Sequence, residues 1–225
     1  MGFNNIYSFL LHHPLTKDQK ITALVRLIKW QIKSRLFKGP FIYPFVNDSI
    51  LLIRKGMTGA TGNIYAGLHE FYDMSFLLHL LKKDDLFVDV GANVGTYTVL
   101  AASCKGARTI CFEPIPDTFK NLLDNISVNK IQNLVNAYEV ALGKSKGNIN
   151  FTTDHDTMNH VVEKEKSKND INVKMSTLDI SLIGLSPILI KIDVEGFETE
   201  VINGGVQTLK SDSLKAIIIE LNGLV

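Results

Sequence analysis

The stretch LFVDVGANVGTYTVL, residues 86–100, closes an apolar run with an acid and then spaces two glycines and an asparagine through a turn. A dinucleotide site wants Gly-x-Gly-x-x-Gly, whose middle glycine lets the backbone approach a pyrophosphate. Here Asn93 holds that middle place, and Gly95 follows Gly91 by four residues. The Gly-Lys-Ser/Thr of a phosphate-binding loop is absent. Asp89 would repel a phosphate and suits an amine. The turn therefore points to a zwitterionic, cationic ligand. S-adenosylmethionine is one: its amino group can meet a carboxylate, and its carboxylate can sit near a helix N-terminus.

Glu113 closes the next apolar run, 24 residues beyond Asp89, just before Pro114-Ile115-Pro116. An acid there accepts hydrogen bonds from a ribose diol, in dinucleotide and methyl-donor sites alike. It supports an adenosine ligand without choosing between them. The third constellation is LIKIDVEGFETE, residues 189–200. If its strand reaches Val194, Lys191, Asp193 and Glu195 tend to one side of the alternation. Asp193 and Glu195 then stand at the C-terminal sheet edge, where open α/β folds bind ligands. Two acids so close can orient a substrate hydroxyl, act as a base or hold a divalent ion. A carboxylate also stabilises a nearby sulfonium. The same acids equally suit a plain strand end before a helix carrying Glu198 and Glu200 in its first turn.

These groups need elements to position them. From residue 86 onward strands and helices alternate: strands at 86–90, 108–113, 135–141, 187–194 and 216–221, with helices at 96–104, 116–129 and 198–203 between them. Runs such as IKIDV and AIIIEL are almost continuously apolar, as parallel strands covered on both faces are. The pattern predicts an α/β fold with a doubly wound, mostly parallel sheet. Residues 147–178 interrupt the rhythm with GNINFTT, a charged EKEKSKND loop and INVKMSTLD, whose flanks suit a strand pair. His155 and His160 fall in this insert and read as surface or lid histidines.

Ahead of the core, residues 23–37 predict an amphipathic helix stopped by Gly39-Pro40, with Leu24, Ile28, Ile32 and Leu36 on one face and Arg26, Lys29 and Lys33 on another. The expectation is that the apolar stripe packs on the domain, with contact to an anionic membrane surface as the alternative. Residues 41–46 and 50–55 suit a hairpin, with Pro44 confined to an edge. GMTGATGNIYAG, 56–67, reads as a glycine-rich connection or ligand lid. A helix over 69–81 follows, anchored by Phe71, Phe76 and Leu80.

The net charge of +1 excludes a strongly basic nucleic-acid binder. The charge is uneven, however, with 11 Lys and Arg against 4 Asp and Glu in residues 1–83, and 13 against 19 in the remainder. Cys104 and Cys111 are the 2 cysteines, read as buried small hydrophobes, and no metal-type Cys pair is present. Their scarcity favours a reducing, cytoplasmic location. No apolar run approaches the roughly 20 residues that span a bilayer, and the N-terminus does not read as a signal peptide.

In order along the chain stand FVDVGANVGTYT, CFEPIPDTFKNLLDN, ALGKSKGNINF, STLD, ILIKIDVEGFETEVINGG and IIIEL. This combination, over roughly 65–221, resembles the FkbM family of S-adenosylmethionine-dependent methyltransferases. The resemblance implies a class I, Rossmann-like fold with a seven-stranded sheet. It implies a methyltransferase domain at 69–225 behind a helical and hairpin extension at 1–68. It places Asp89, Gly91, Asn93, Gly95 and Thr96 at the methionine end of the cofactor, Glu113 on the ribose, Ile115 by the adenine, and Ala141 with Leu142 completing that pocket. Asp193 would lie nearest the transferred methyl, with Glu195 beside it. The implied reaction is O-methylation of a hydroxyl on a sugar, glycan or other small molecule, by in-line transfer with Asp193 and then Glu195 as candidate bases. Because relatives continue into further strands, the end at Gly223-Leu224-Val225 leads us to expect C-terminal strands to be missing. The competing readings are an NAD(P)-dependent oxidoreductase and a non-catalytic binding module of the same fold.

Overall fold

The computed structural model describes residues 3–151 and 171–221. His155, His160, the charged run 163–170 and the last four residues lie outside them.

The chain opens with α1 (Phe3–His12) and α2 (Lys20–Leu36), then an antiparallel hairpin of β1 (Phe41–Pro44) and β2 (Ile50–Ile53) in which Pro44 pairs at the end of the register. The glycine-rich stretch that follows is a helix, α3 (Thr58–Ala66), rather than a loop. Met57, Ala60 and Ile64 recur at helical spacing and are buried, and that packing outweighs the helix penalty of Gly59 and Gly62. Gly62 answers to a close approach: a Cβ there would fall 1.6 Å from Nδ1 of His69. In α4 (Phe71–Leu80) the buried anchors are Met74 and Leu77, joined by Leu81, while Phe76 is exposed. The apolar stripe of α2 is also not where the periodicity puts it. Ala23, Leu27, Trp30 and Ser34 face inward, and Ile28, Ile32 and Leu36 face solvent.

Beyond residue 85 come β3 (Leu86–Val90), α5 (Thr96–Val99) running into a π-helical turn at Leu100–Cys104, β4 (Arg108–Phe112), α6 (Pro116–Val128), β5 (Val135–Tyr138), β6 (Ala141–Leu142), β7 (Gly147–Phe151), β8 (Ile171–Ser176), α7 (Leu178–Ser181), β9 (Leu189–Ile192), α8 (Glu198–Asn203) and β10 (Ala216–Ile219). The central sheet has the order β10-β9-β3-β4-β5, and every pairing in it is parallel. Read from the β5 edge, its strands therefore run third, second, first, fourth, fifth in chain order. That is a doubly wound sheet whose order reverses between β3 and β9, the core arrangement of a Rossmann-like fold. Five parallel strands stand in this sheet among the described residues, where the resemblance implied seven strands.

The expected strand at 135–141 is broken. After Tyr138 the chain leaves the main sheet, and β6 joins β8 and β7 in a separate three-stranded sheet, so the flanks of the insert do form a strand pair. Both faces of the main sheet are covered. Phe87 and Leu189 pack with Met74 and Leu77 of α4. On the other face Val88, Val90, Ile190 and Ile192 pack with Leu178 of α7 and Val201 of α8. One apolar cluster runs from Leu10, Leu27 and Trp30 through Leu51 and Ile53 to Val94, Leu122 and Ile126, joining the N-terminal elements to α6. No helix among the described residues is long and apolar enough to cross a membrane.

Candidate active site

The glycine turn after β3 is pinned from both sides. The amides of Gly91 and Ala92 each donate to the Phe112 carbonyl at 3.0 Å, and the Asp193 amide donates to Val90. Gly91 has φ +75°, and a Cβ there would meet the Asp193 carbonyl oxygen at 1.8 Å, so only glycine lets β3 and β9 close this near the switch point. Asn93 also has positive φ, 51°, which Asn tolerates better than other side-chain-bearing residues. Its Oδ1 accepts from the Val94 amide at 2.8 Å. Gly95 precedes α5, and Thr96 begins it.

Glu113 follows β4 with its side chain buried against the turn. Oε2 accepts from the Asn93 amide at 2.9 Å and Oε1 from the Ile115 amide at 3.0 Å. Each carboxylate oxygen keeps a second lone pair. Burial pushes this carboxyl up to about 7 despite those two donors, with the negative Asp89 and Asp193 adding to the rise.

At the end of β9 the chain departs from a simple strand. It stops at Ile192, and Glu195 (φ 50°) and Gly196 (φ 93°) are both left-handed, turning the chain sharply into α8. Lys191 stands beside Asp89 across the β3–β9 register, and its buried Nζ contacts Asp193 Oδ2 at 2.9 Å. Burial alone would lower the Lys191 pKa, but Asp193, Asp89 and Glu70 together raise it, so the site keeps a full ammonium. That ammonium also lies 4.8 Å from the Tyr97 ring centroid. Tyr97 donates to Glu70 Oε2 at 2.5 Å, and burial beside Glu70 raises the phenol's pKa, keeping it protonated. Asp89 Oδ2 accepts from Thr98 at 2.7 Å, while Oδ1 is buried without a partner. Burial raises the Asp89 pKa against the pull of Lys191.

A cleft opens along this edge. Among the residues singled out in the sequence, Gly91, Asn93, Glu113, Ile115, Ala141, Leu142, Asp193 and Glu195 line it. Asp89, Gly95 and Thr96 do not. Asp89 is buried beneath the turn, and the other two lie at the start of α5. Phe112, Ile115, Val140 and Phe151 give it an apolar lining, and Glu113, Asp193 and Glu195 bring carboxylates to the same cleft. Sequence reasoning missed Glu70, Tyr97 and Glu220. Glu220 follows β10, and its carboxyl is raised to about 7 by partial burial first, then by Asp193 and Glu70. A signal for it existed: LFVDV, TICFE, LIKID and AIIIE each bring an acid to the end of an apolar strand. Cys111 is buried and Cys104 half-buried, and burial raises both thiols. Among the described residues no three His, Cys, Asp or Glu side chains converge as metal ligands do.

Residues 89–224 match the model of the methyltransferase FkbM domain. The chain is 32% identical over 148 residues to the hexuronic acid methyltransferase AglP of Haloferax volcanii, a match covering 65% of this chain and 59% of that protein. It is 37% identical over 59 residues to a tRNA(Phe) (4-demethylwyosine(37)-C(7)) aminocarboxypropyltransferase of Pyrococcus horikoshii, covering 26% and 21%. The chain thus spans about three fifths of one curated relative and one fifth of the other. A precorrin-6y C5,15-methyltransferase structure from Geobacter metallireducens is similar with a TM-score of 0.42 and 16% identity, over 68% of this chain and 61% of that one.

Proposed function

The chain belongs to the FkbM methyltransferase family, and from that premise we propose that it transfers a methyl from S-adenosylmethionine to a hydroxyl on a sugar or other small molecule. The observation that carries the reading is Glu113. Its two oxygens are fixed by the Asn93 and Ile115 amides with lone pairs left over, on the wall of a cleft at the switch point of the sheet. That is the geometry a ribose diol needs. The apolar lining at Ile115, Ala141 and Leu142 suits an adenine. Gly91 and Asn93 would hold the methionine portion. Asp89, Gly95 and Thr96 would shape the turn that does so.

The bound cofactor supplies an electrophilic methyl on a sulfonium centre. The protein's task is to hold an acceptor oxygen in line with it and to receive the hydroxyl proton. Asp193 is the first candidate for that proton. Lys191 engages one of its oxygens and fixes the side chain, and Oδ1 remains to meet the acceptor. Glu195 stands beside it on its left-handed turn. Residues 69–225 form the methyl-transfer unit in this reading, and residues 1–68 its extension.

The hexuronic acid of the AglP name makes uronic acids and their glycosides the first acceptors to try. A small molecule or glycan is preferred to nucleic acid because the net charge is only +1. Two free cysteines suit a cytoplasmic setting. Isothermal titration with S-adenosylhomocysteine, set against NAD and NADP, tests the reading. Saturable binding of the first alone is expected, and its absence at millimolar ligand overturns the proposal.

A further inference from the structure

Helix α2 carries two opposed faces. With about 100° of turn per residue, its buried residues Ala23, Leu27, Trp30 and Ser34 fall within an arc of roughly 60°. Ile21, Val25, Ile28, Ile32 and Leu36 fall within roughly 80° on the opposite side. Those five are the outward ones, with Ile21 82%, Ile28 47%, Ile32 54% and Leu36 71% exposed. Their spacing of four, three, four and four residues is that of a continuous apolar stripe. Phe37, just past the helix, is 62% exposed as well.

The charges are arranged around that stripe. Lys29, Lys33 and Arg26 flank it on one side, Arg35 and Lys20 on the other. Residues 19–47 hold six cations, these five and Lys38, and no acid at all. Among the described residues none of the six forms an ion pair with an acid. An outward apolar stripe bordered on both sides by uncompensated cations is matched by a surface that is apolar just beneath a layer of negative charge.

We propose that α2 is an interfacial helix that docks this protein on an anionic lipid surface, laying Ile21, Val25, Ile28, Ile32 and Leu36 into the acyl boundary while its lysines and arginines meet the headgroups. The helix lies in the plane of the bilayer and does not span it. A second copy of the chain fits the face less well, because stacking two such helices sets cation against cation. Nucleic acid would satisfy the cations and leave the isoleucines in water. The inference does not depend on the methyl acceptor or on cofactor binding.

The test is co-sedimentation of the full chain with phosphatidylcholine vesicles, with and without phosphatidylglycerol. Binding is expected to the anionic vesicles only and to weaken as salt is added. The double variant Ile28→Ser/Ile32→Ser should bind them at least about tenfold more weakly, and Lys29→Glu/Lys33→Glu should abolish binding. These side chains are exposed, so unchanged thermal melts establish that each variant is folded. No retention by anionic vesicles overturns the proposal, as does retention that the isoleucine pair leaves unchanged. Self-association in sedimentation velocity that the same pair dissolves, without vesicle binding, assigns the face to a second copy and also overturns it.

Discussion

Glu113 is fixed by two backbone amides yet titrates at about 7, because burial outweighs both donors. A ribose diol donates hydrogen bonds and so selects the ionised form. Affinity for S-adenosylhomocysteine should therefore weaken by about tenfold between roughly pH 8 and pH 6. Glu113→Gln should bind more weakly throughout and lose the slope, and calorimetric titration across that range reads both effects. A flat profile in the unsubstituted protein would sink the ribose role. Asp193 invites a different experiment. Its partner Lys191 is buried and charged, so the pair holds a carboxylate at a defined place on the cleft wall. Asp193→Asn should lower kcat by about a hundredfold or more while changing cofactor affinity only a few-fold. Methyl-transfer assays on uronic acid acceptors separate those two quantities. Unchanged turnover would remove Asp193 as the base.

The glycine turn is supported from behind by α6 through Asn125, which is fully buried. Its Nδ2 donates to the Val94 carbonyl at 2.8 Å, and its Oδ1 accepts from the Leu52 amide at 2.7 Å. One side chain therefore ties the glycine turn, α6 and the edge of β2 together. Asn129 adds a second clamp, exchanging hydrogen bonds with both the amide and the carbonyl of Ile50. Replacing Asn125 by Ala strands a buried amide and a buried carbonyl, at a cost of about 3 kcal/mol. Denaturant melts should show that loss, and cofactor affinity should fall with it, since the turn loses its rear support. A destabilised variant with undiminished affinity would show that the turn is rigid by itself.

Across the whole molecule the concentration of acids at one sheet edge sets a pH dependence. Glu113 ionises near its ordinary value of 4.5 when unfolded and at about 7 when folded, so the folded state binds more protons in that window. Its contribution is fully present below the unfolded value and is lost as pH rises through 7, amounting to roughly 3 kcal/mol. Asp89 is raised by burial and acts in the same direction. His69, lowered by burial, opposes them. The ligand-free protein should thus melt at a lower Tm near pH 8 than near pH 5, and S-adenosylhomocysteine should narrow the difference. Scanning calorimetry with and without ligand measures it, and a Tm that rises steadily over this range would contradict the reading of Glu113 as a carboxyl whose burial outweighs its two amide donors.

Strand identities and the acids that close them were legible in the sequence because both are local. An apolar run bounded by a turn is a strand covered on both faces, and Asp89, Glu113 and Asp193 end three such runs. Asn93 at the middle glycine place was equally legible as a departure from a dinucleotide loop. Which face of a helix is buried was not, because the period of α2 fits either side and only α1, α3 and the hairpin choose Trp30 over Ile28. Two glycines made α3 look like a loop, since propensity is counted along the chain while burial of Met57, Ala60 and Ile64 is decided across it. The chain's pattern therefore determined the kind of sheet and the acids at its edge. Tertiary structure alone decided that Tyr97 and Glu70 stand behind those acids and that Lys191 lies beside Asp89, because burial and charge neutralisation depend on neighbours brought from distant parts of the chain.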